Sequence, residues 1–175
     1  VVVDVAERHG DRKAVSFQLT SGPNDPVETL TWRQVQSEVH RAANLFRSLG
    51  IGETDVVAFV LPNATETFIT LIAGSVAGIV TPINPLLDAE HIGGILKETN
   101  AKVVVTLKSF PKTDVAQKVA RAVSLAPGVE TVLEVETHEV VGAAHRRHSS
   151  TSRSVIGHLE HALVEQAGHG LRHIA

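Results

Sequence analysis

The side chains of this chain that could do chemistry are its histidines, two hydroxyl-rich strings and two asparagines at strand ends. His145 and His148 are three apart, as are His158 and His161, while His169 and His173 are four apart. On a helix these spacings set two imidazoles on one face, the geometry of a metal-ligating pair, with Glu160 or Glu165 as a further ligand. Nothing fixes one pair relative to the next, and histidine-rich tracts bind metal adventitiously, so no metal site is assigned. His9, His40 and His91 read as surface or helix-flank residues. Thr20-Ser21-Gly22 could open a phosphate loop, but it runs into Pro23-Asn24-Asp25 with no second glycine pair and no lysine, so a turn is expected. The string from His148 to Ser154 has hydroxyls but no glycine, a backbone poorly suited to wrapping a phosphate, and reads as a solvated loop. Asn63 and Asn84 stand where predicted parallel strands end, which is where open α/β sheets place ligand crevices. Each is expected to close a turn by bonding its own backbone. Trp32 is expected to anchor packing. No Gly-x-Gly-x-x-Gly follows a predicted strand, which removes the dinucleotide fingerprint. No catalytic, cofactor-binding or metal-ligating residue is therefore assigned, and the substrate-binding residues stay open.

The elements that would position such groups alternate in type. A helix is expected over Val3 to His9 and a short strand over Ala14 to Phe17, followed by a loop from Ser21 to Pro26. Thr31 and Gln34 have capping-box spacing, and Val35, Val39, Ala42, Ala43, Phe46 and Leu49 follow a helical period that Gly50 and Gly52 end. Val56 to Leu61 is a continuous apolar run, the mark of a strand buried on both faces, stopped by Pro62 and Asn63. A buried helix over Thr65 to Ala77 and a strand from Ile79 closed by Pro82 and Pro85 come next. Then follow a helix capped by Asp88 and running to Glu98, a strand over Ala101 to Leu107, a helix over Lys112 to Leu125 and a strand over Thr131 to Val135. This order predicts an α/β fold: right-handed crossovers and a mainly parallel sheet with helices on both faces.

The pattern changes at about residue 137. Seven of the ten histidines lie from His138 onward, and only Val155 to Ala167 keeps a helical pattern. The expected organisation is a body over residues 1–137 and a His-rich tail over 138–175. A frame change in the gene near residue 137 would produce such a break.

Composition bounds the rest. With 175 residues, 43% of them hydrophobic and 20% charged, the chain can bury one sizeable core. It has no cysteine, hence no disulfide framework and no thiolate ligand or nucleophile. A net charge of −3 gives no general case for nucleic acid as a partner, although protonating all 10 histidines would carry it from −3 to +7. The longest apolar run, Phe68 to Val80, is broken by Thr70 and Ser75 and falls short of the roughly 20 residues of a membrane span. No signal peptide is read in the acidic and basic start, and a cytoplasmic location is expected. The absence of methionine suggests a start that is processed, trimmed or excerpted.

Several strings match one family in order and spacing. They are Asp11-Arg12-Lys-Ala14-Val15, Thr31-Trp32, Arg41-Ala-Ala-Asn44-Leu45, Leu49-Gly50-Ile-Gly52 and Asp55-Val-Val-Ala58. Leu61-Pro62-Asn63 with Glu66, Ala77-Gly78-Ile-Val-Thr-Pro82-Ile-Asn84-Pro85 and Ala101-Lys102-Val103 complete the series. From Val5 to Val135 the chain resembles the N-terminal part of the AMP-forming ligases, and Pro82-Ile83-Asn84-Pro85 looks more like the acyl-CoA synthetases than the peptide-synthetase adenylation domains. The resemblance implies an incomplete N-terminal subdomain of an adenylate-forming ligase. It implies ATP, Mg²⁺ and CoA for the whole enzyme, with a small carboxylic acid, a fatty acid for choice, as substrate. The family's Ser/Thr/Gly-rich phosphate loop ending in Pro-Lys, its later motifs and its C-terminal lysine are not found in this sequence. The chain alone is therefore expected to be inactive, to need no cofactor, and to expose apolar surface that favours self-association. Two rival readings are a non-catalytic α/β binding module, and a metal-responsive protein using the His-rich tail.

Overall fold

The computed structural model describes residues 1–18, 22–25, 27–108, 113–135, 163–165 and 172–174. Helix α1 (Val2–His9) leads into β1 (Lys13–Phe17), which pairs antiparallel with β2 (Glu28–Thr31) as a separate two-stranded sheet. β2 has no counterpart in the sequence reading. Leu30 is its one buried residue, too little for a period-2 signal, and the ladder to β1 makes it a strand.

Helix α2 (Trp32–Ser48) opens on the expected capping box. Gln34 N donates to Thr31 Oγ1 at 3.3 Å and Thr31 N to Gln34 Oε1 at 2.8 Å, which satisfies two of the orphan donors of the first turn. Val35, Val39, Ala42, Ala43 and Phe46 form its buried stripe, and Gly50 leaves the helix at φ +82°, the left-handed region that favours glycine.

The main sheet has the order β4-β3-β5-β6-β7-β8. β3 (Val56–Val60), β4 (Ile79–Pro82), β5 (Ala101–Leu107) and β6 (Thr131–Val135) run parallel, as expected, with helices α3 (Thr65–Ala77), α4 (Ala89–Glu98) and α5 (Val115–Ser124) as crossovers. α5 begins later than predicted, behind Asp114, while Lys112 lies outside the described residues. Asp88 caps α4 as expected, its Oδ1 accepting from His91 N at 2.8 Å. The path from β3 to β4 and that from β4 to β5 run in opposite directions across the sheet. Right-handed crossovers therefore put α3 on one face and α4 with α5 on the other, and α3 does pack on α2 while α4 packs on α5. Both faces of β3 are covered, and all five of its residues are buried. Phe46, Ile69, Ile92, Leu96 and Leu133 are the largest fully buried side chains of the core.

The tail departs from expectation. Leu163–Glu165 is a strand, β7, antiparallel to β6, where a helical period was read over Val155 to Ala167. Arg172–Ile174 forms β8, antiparallel to β7. A three-residue strand is too short to carry a period of its own, and its pairing decides its state. The other residues of the expected helix lie outside the described residues.

Candidate functional site

The chain reversal makes β3 and β5 the switch point of the sheet, so the place for a ligand is the carboxyl edge of the parallel strands. Three strand ends with described residues build that edge. β3 runs out into Leu61-Pro62-Asn63, where Thr67 Oγ1 donates to Pro62 O at 2.5 Å and Asn63 is exposed. Helix α3 starts there behind Ala64, which supplies no side-chain cap. Carboxylates of the chain itself sit near this helix end. Glu66 is buried in the first turn, and Glu28 of β2 accepts from Thr65 Oγ1 at 2.5 Å, an arrangement favourable to the positive end of the helix.

β4 runs out into Ile83-Asn84-Pro85. Asn84 Oδ1 accepts from Leu86 N at 2.9 Å, the turn closure expected of it. Pro85 O accepts from Lys118 Nζ of α5 at 3.0 Å, and the same ammonium pairs with Asp114 at 3.1 Å. β5 ends on Thr106-Leu107. Thr106 is 2% exposed, and among the described residues its Oγ1 is the one buried side-chain polar atom without a hydrogen-bond partner. Gly74 of α3 lies against Val57 and Val80, and Val57 pairs in register with Val103. Alternation along β5 then places Thr106 on the opposite face, that of α4 and α5. Sequence reasoning passed over Thr106, Glu28 and Glu66 as site-forming groups. The available signal was a lone hydroxyl inside the run Val103-Val104-Val105-Thr106-Leu107.

The remaining candidates fall elsewhere. Gly22 N donates to Asp25 Oδ2 at 2.8 Å and Asp25 N to Gly22 O at 3.1 Å, so a carboxylate occupies the amide that a phosphate would need. This turn matches expectation at Gly22, while Thr20 and Ser21 lie outside the described residues. His9, His40 and His91 are exposed, as read. Trp32 is half-buried at the head of α2, its N donating to Arg12 O at 3.1 Å. His145, His148, Ser154, His158, Glu160, His161 and His169 lie outside the described residues. His173 stands in β8 opposite Val164 and Glu165 in β7 opposite Arg172, while the partner expected for His173, His169, lies outside the described residues. Among the described residues no three His, Asp or Glu side chains gather to hold a metal ion, and no helix is long and apolar enough to cross a membrane.

The clearest electrostatic feature lies at the other end of the sheet. Lys102 Nζ sits 2.7 Å from Asp55 Oδ1, and Gly52 N donates to Asp55 Oδ2 at 2.9 Å. The Lys102 hydrogen bond first, then that of Gly52, holds the Asp55 carboxyl below its ordinary range, and Lys102 is raised in return. Asp88 is also lowered, first by the backbone N–H of His91 and then by its ring. The groups of the carboxyl edge are turn-closing amides, carbonyls and a buried hydroxyl, with no nucleophile–base pair among those described.

Comparison with known proteins gives this edge a context. The sequence profile of the family described as "AMP-binding enzyme" matches residues 2–166. A marinolic acid–CoA ligase of Pseudoalteromonas sp. (strain SANK 73390) is 36% identical over 102 residues, 58% of this chain and 16% of the relative. A crotonobetaine/carnitine–CoA ligase of Salmonella paratyphi A (strain ATCC 9150 / SARB42) is 34% identical over 108 residues, 61% of this chain and 20% of the relative. The crystal structure of an anthranilate CoA ligase in complex with anthranoyl-AMP superposes with a TM-score of 0.63 at 17% identity, covering 87% of this chain and 29% of the other. The chain thus spans a fifth or less of the curated relatives' length, and its α/β fold matches the N-terminal domain of an adenylate-forming ligase. With a profile match that runs from α1 through β7, the chain belongs to the AMP-binding enzyme family.

Proposed function

We propose that residues 1–137 are the N-terminal portion of an ATP-dependent acid–CoA ligase and supply a wall of its substrate site. In that reaction a carboxylate attacks the α-phosphorus of ATP, releasing pyrophosphate and leaving an acyl-adenylate. The CoA thiol then attacks the acyl carbon, AMP departs, and a thioester remains. The observation that carries this reading is the ordered series of strings from Asp11 to Val103, laid on consecutive elements and ending at the carboxyl edge in Pro62-Asn63 and Pro82-Ile83-Asn84-Pro85. The substrate is a carboxylic acid, with a fatty acid as the class we favour, and the enzyme works in the cytoplasm. Each named relative bears the name of a carboxylic acid, which supports the class and leaves its size open.

Phosphoryl and adenylyl chemistry needs donors and cations around the phosphates. The Ser/Thr/Gly-rich loop ending in Pro-Lys that would supply them is not found in this sequence, so in this reading Mg²⁺ and the phosphates belong to parts of the enzyme other than this edge. Taken alone, the chain positions and does not catalyse. Residues 138–175 are the His-rich tail of this reading, of which β7 and β8 join the sheet beside β6. The exposed apolar side chains Leu71, Val76 and Ile79 are the surface through which the isolated chain self-associates.

The test is ATP–pyrophosphate exchange with a panel of short, long and aromatic acids. The 175-residue chain is expected to give none. An open reading frame that continues residues 1–137 into a Ser/Thr/Gly-rich loop ending in Pro-Lys is expected to give acid-dependent exchange and then CoA thioester. Exchange by the 175-residue chain itself would overturn the positioning role. A continued frame that binds acids without any exchange would favour the binding module.

A further inference from the structure

We propose that β7 and β8 are an edge cap: a strap from the tail that seals β6 and occupies the place where a larger parallel sheet would add its next strand. The two edges of the four parallel strands differ in how they are protected. At the β4 edge, Ile79 N bonds Asp55 O at 2.9 Å and Ile83 N bonds Phe59 O at 2.9 Å, so the residues turned outward are Val80 and Pro82. Pro82 has no N–H to offer, which blunts that edge.

β6 has no such device. It reads Thr-Val-Leu-Glu-Val, with Val132, Leu133 and Val135 buried, no proline and a single charge, the type of edge most prone to accept a foreign strand. β7 pairs with it through Thr131↔Glu165, Val132↔Val164 and Leu133↔Leu163. β8 then becomes the outer strand, and its sequence, Arg172-His173-Ile174, is short and basic, as protected edges are. Glu165 and Arg172 share a register position. Because β7 is antiparallel, it cannot be part of the parallel order it abuts. The cap and any further parallel strand on β6 exclude each other.

The experiment uses the full chain and two single variants, Leu163→Pro and Val164→Pro. Consecutive strand residues turn their N–H groups to opposite neighbours, so one variant removes a bond to β6 and the other a bond to β8. Amide-resolved hydrogen exchange is expected to show the outward amides of Thr131 and Leu133 at least about tenfold slower in the wild type than in the variant that breaks the β6 rung. Amides of β3 and β5 keep their protection in all three. Outward β6 amides that exchange equally fast in all three would overturn the cap.

Should the proline variants lose protection at β3 and β5 as well, the absence of native cysteine supplies a second measurement. The double variant Val132→Cys with Val164→Cys places two thiols at one register position and is expected to oxidise within the chain. Val132→Cys with His173→Cys, at the same register position one strand further out, serves as the control. Oxidation of the first pair no faster than the control would overturn the proposal.

Discussion

A hydroxyl buried without a partner costs about 1–3 kcal/mol in desolvation, and Thr106 carries that cost inside a strand whose other described positions from Val103 on are aliphatic. Thr106→Val keeps the β-branched shape and removes the orphan group. The variant is expected to be more stable by about 1 kcal/mol, read as a higher urea midpoint at an unchanged slope. A lower midpoint would mean that the hydroxyl has a partner and serves the edge. Asp55 gives a pH-dependent counterpart. Its folded-state pKa is depressed below 3.8, chiefly by the Lys102 hydrogen bond, so its contribution is fully present above that value and is lost as pH falls through the lower folded value. Lys102 is raised above 10.5, so its share is present at neutral pH and is lost only as pH rises through the raised value. The wild-type urea midpoint is expected to drop below about pH 4, and that of Asp55→Asn to start lower at neutral pH and fall less across the same acid window. Parallel curves would remove the pair from the account. Neither residue was singled out from sequence for this: a threonine among valines reads as ordinary β-propensity, and an Asp–Lys pair 47 positions apart meets only through the fold.

At the scale of elements, local chemistry was most legible where a terminus is punctuated. Thr31 with Gln34, Asp88, Gly50 and the prolines after β3 and β4 each mark a boundary through their own backbone or side-chain geometry, and the structure has the elements there. β2, β7 and β8 were not legible, because these short strands lack a bounded apolar run like that of β4 and exist by their pairing. The turn from α3 into β4 shows how tightly such pairing can constrain a residue. A Cβ on Gly78 would stand 2.6 Å from both Asp55 O and Gly52 O, and Asp55 O already accepts from Ile79 N at 2.9 Å. The backbone oxygens cannot retreat without parting β4 from β3, so Gly78→Ala is expected to cost about 1–3 kcal/mol by urea unfolding. Gly94, inside α4, has nothing within 4 Å of its added Cβ, and Gly94→Ala is expected to stabilise by about 0.5–1 kcal/mol. Opposite signs for one chemical change separate packing from backbone entropy. Equal signs would show that the α3–β4 turn gives way.

On the scale of the molecule, the strand ends of the proposed wall were legible as Pro62-Asn63 and the Pro82–Pro85 string, while the buried polar groups near them were not, because burial is a property of the assembled layers. The same layers decide how the isolated chain meets another copy. Strand-to-strand association is opposed at β4 by Pro82 and, with the cap in place, at β6 by β8. Side-chain association is not opposed on the outer side of α3 and the start of β4, where Leu71, Val76 and Ile79 are 40%, 46% and 48% exposed. The proposed self-association is therefore expected at a face and not at an edge, and the two routes can be told apart. In sedimentation velocity the weight-average mass of the chain is expected to rise with concentration, and the triple variant Leu71→Gln, Val76→Gln, Ile79→Thr to remain monomeric with unchanged far-UV circular dichroism. An edge-borne process would instead respond to Val164→Pro or Leu163→Pro, grow without a closed stoichiometry and bind an amyloid dye. Wild-type mass that stays monomeric at every concentration would mean that the α3 side chains, though apolar, are too few and too scattered to hold a second copy.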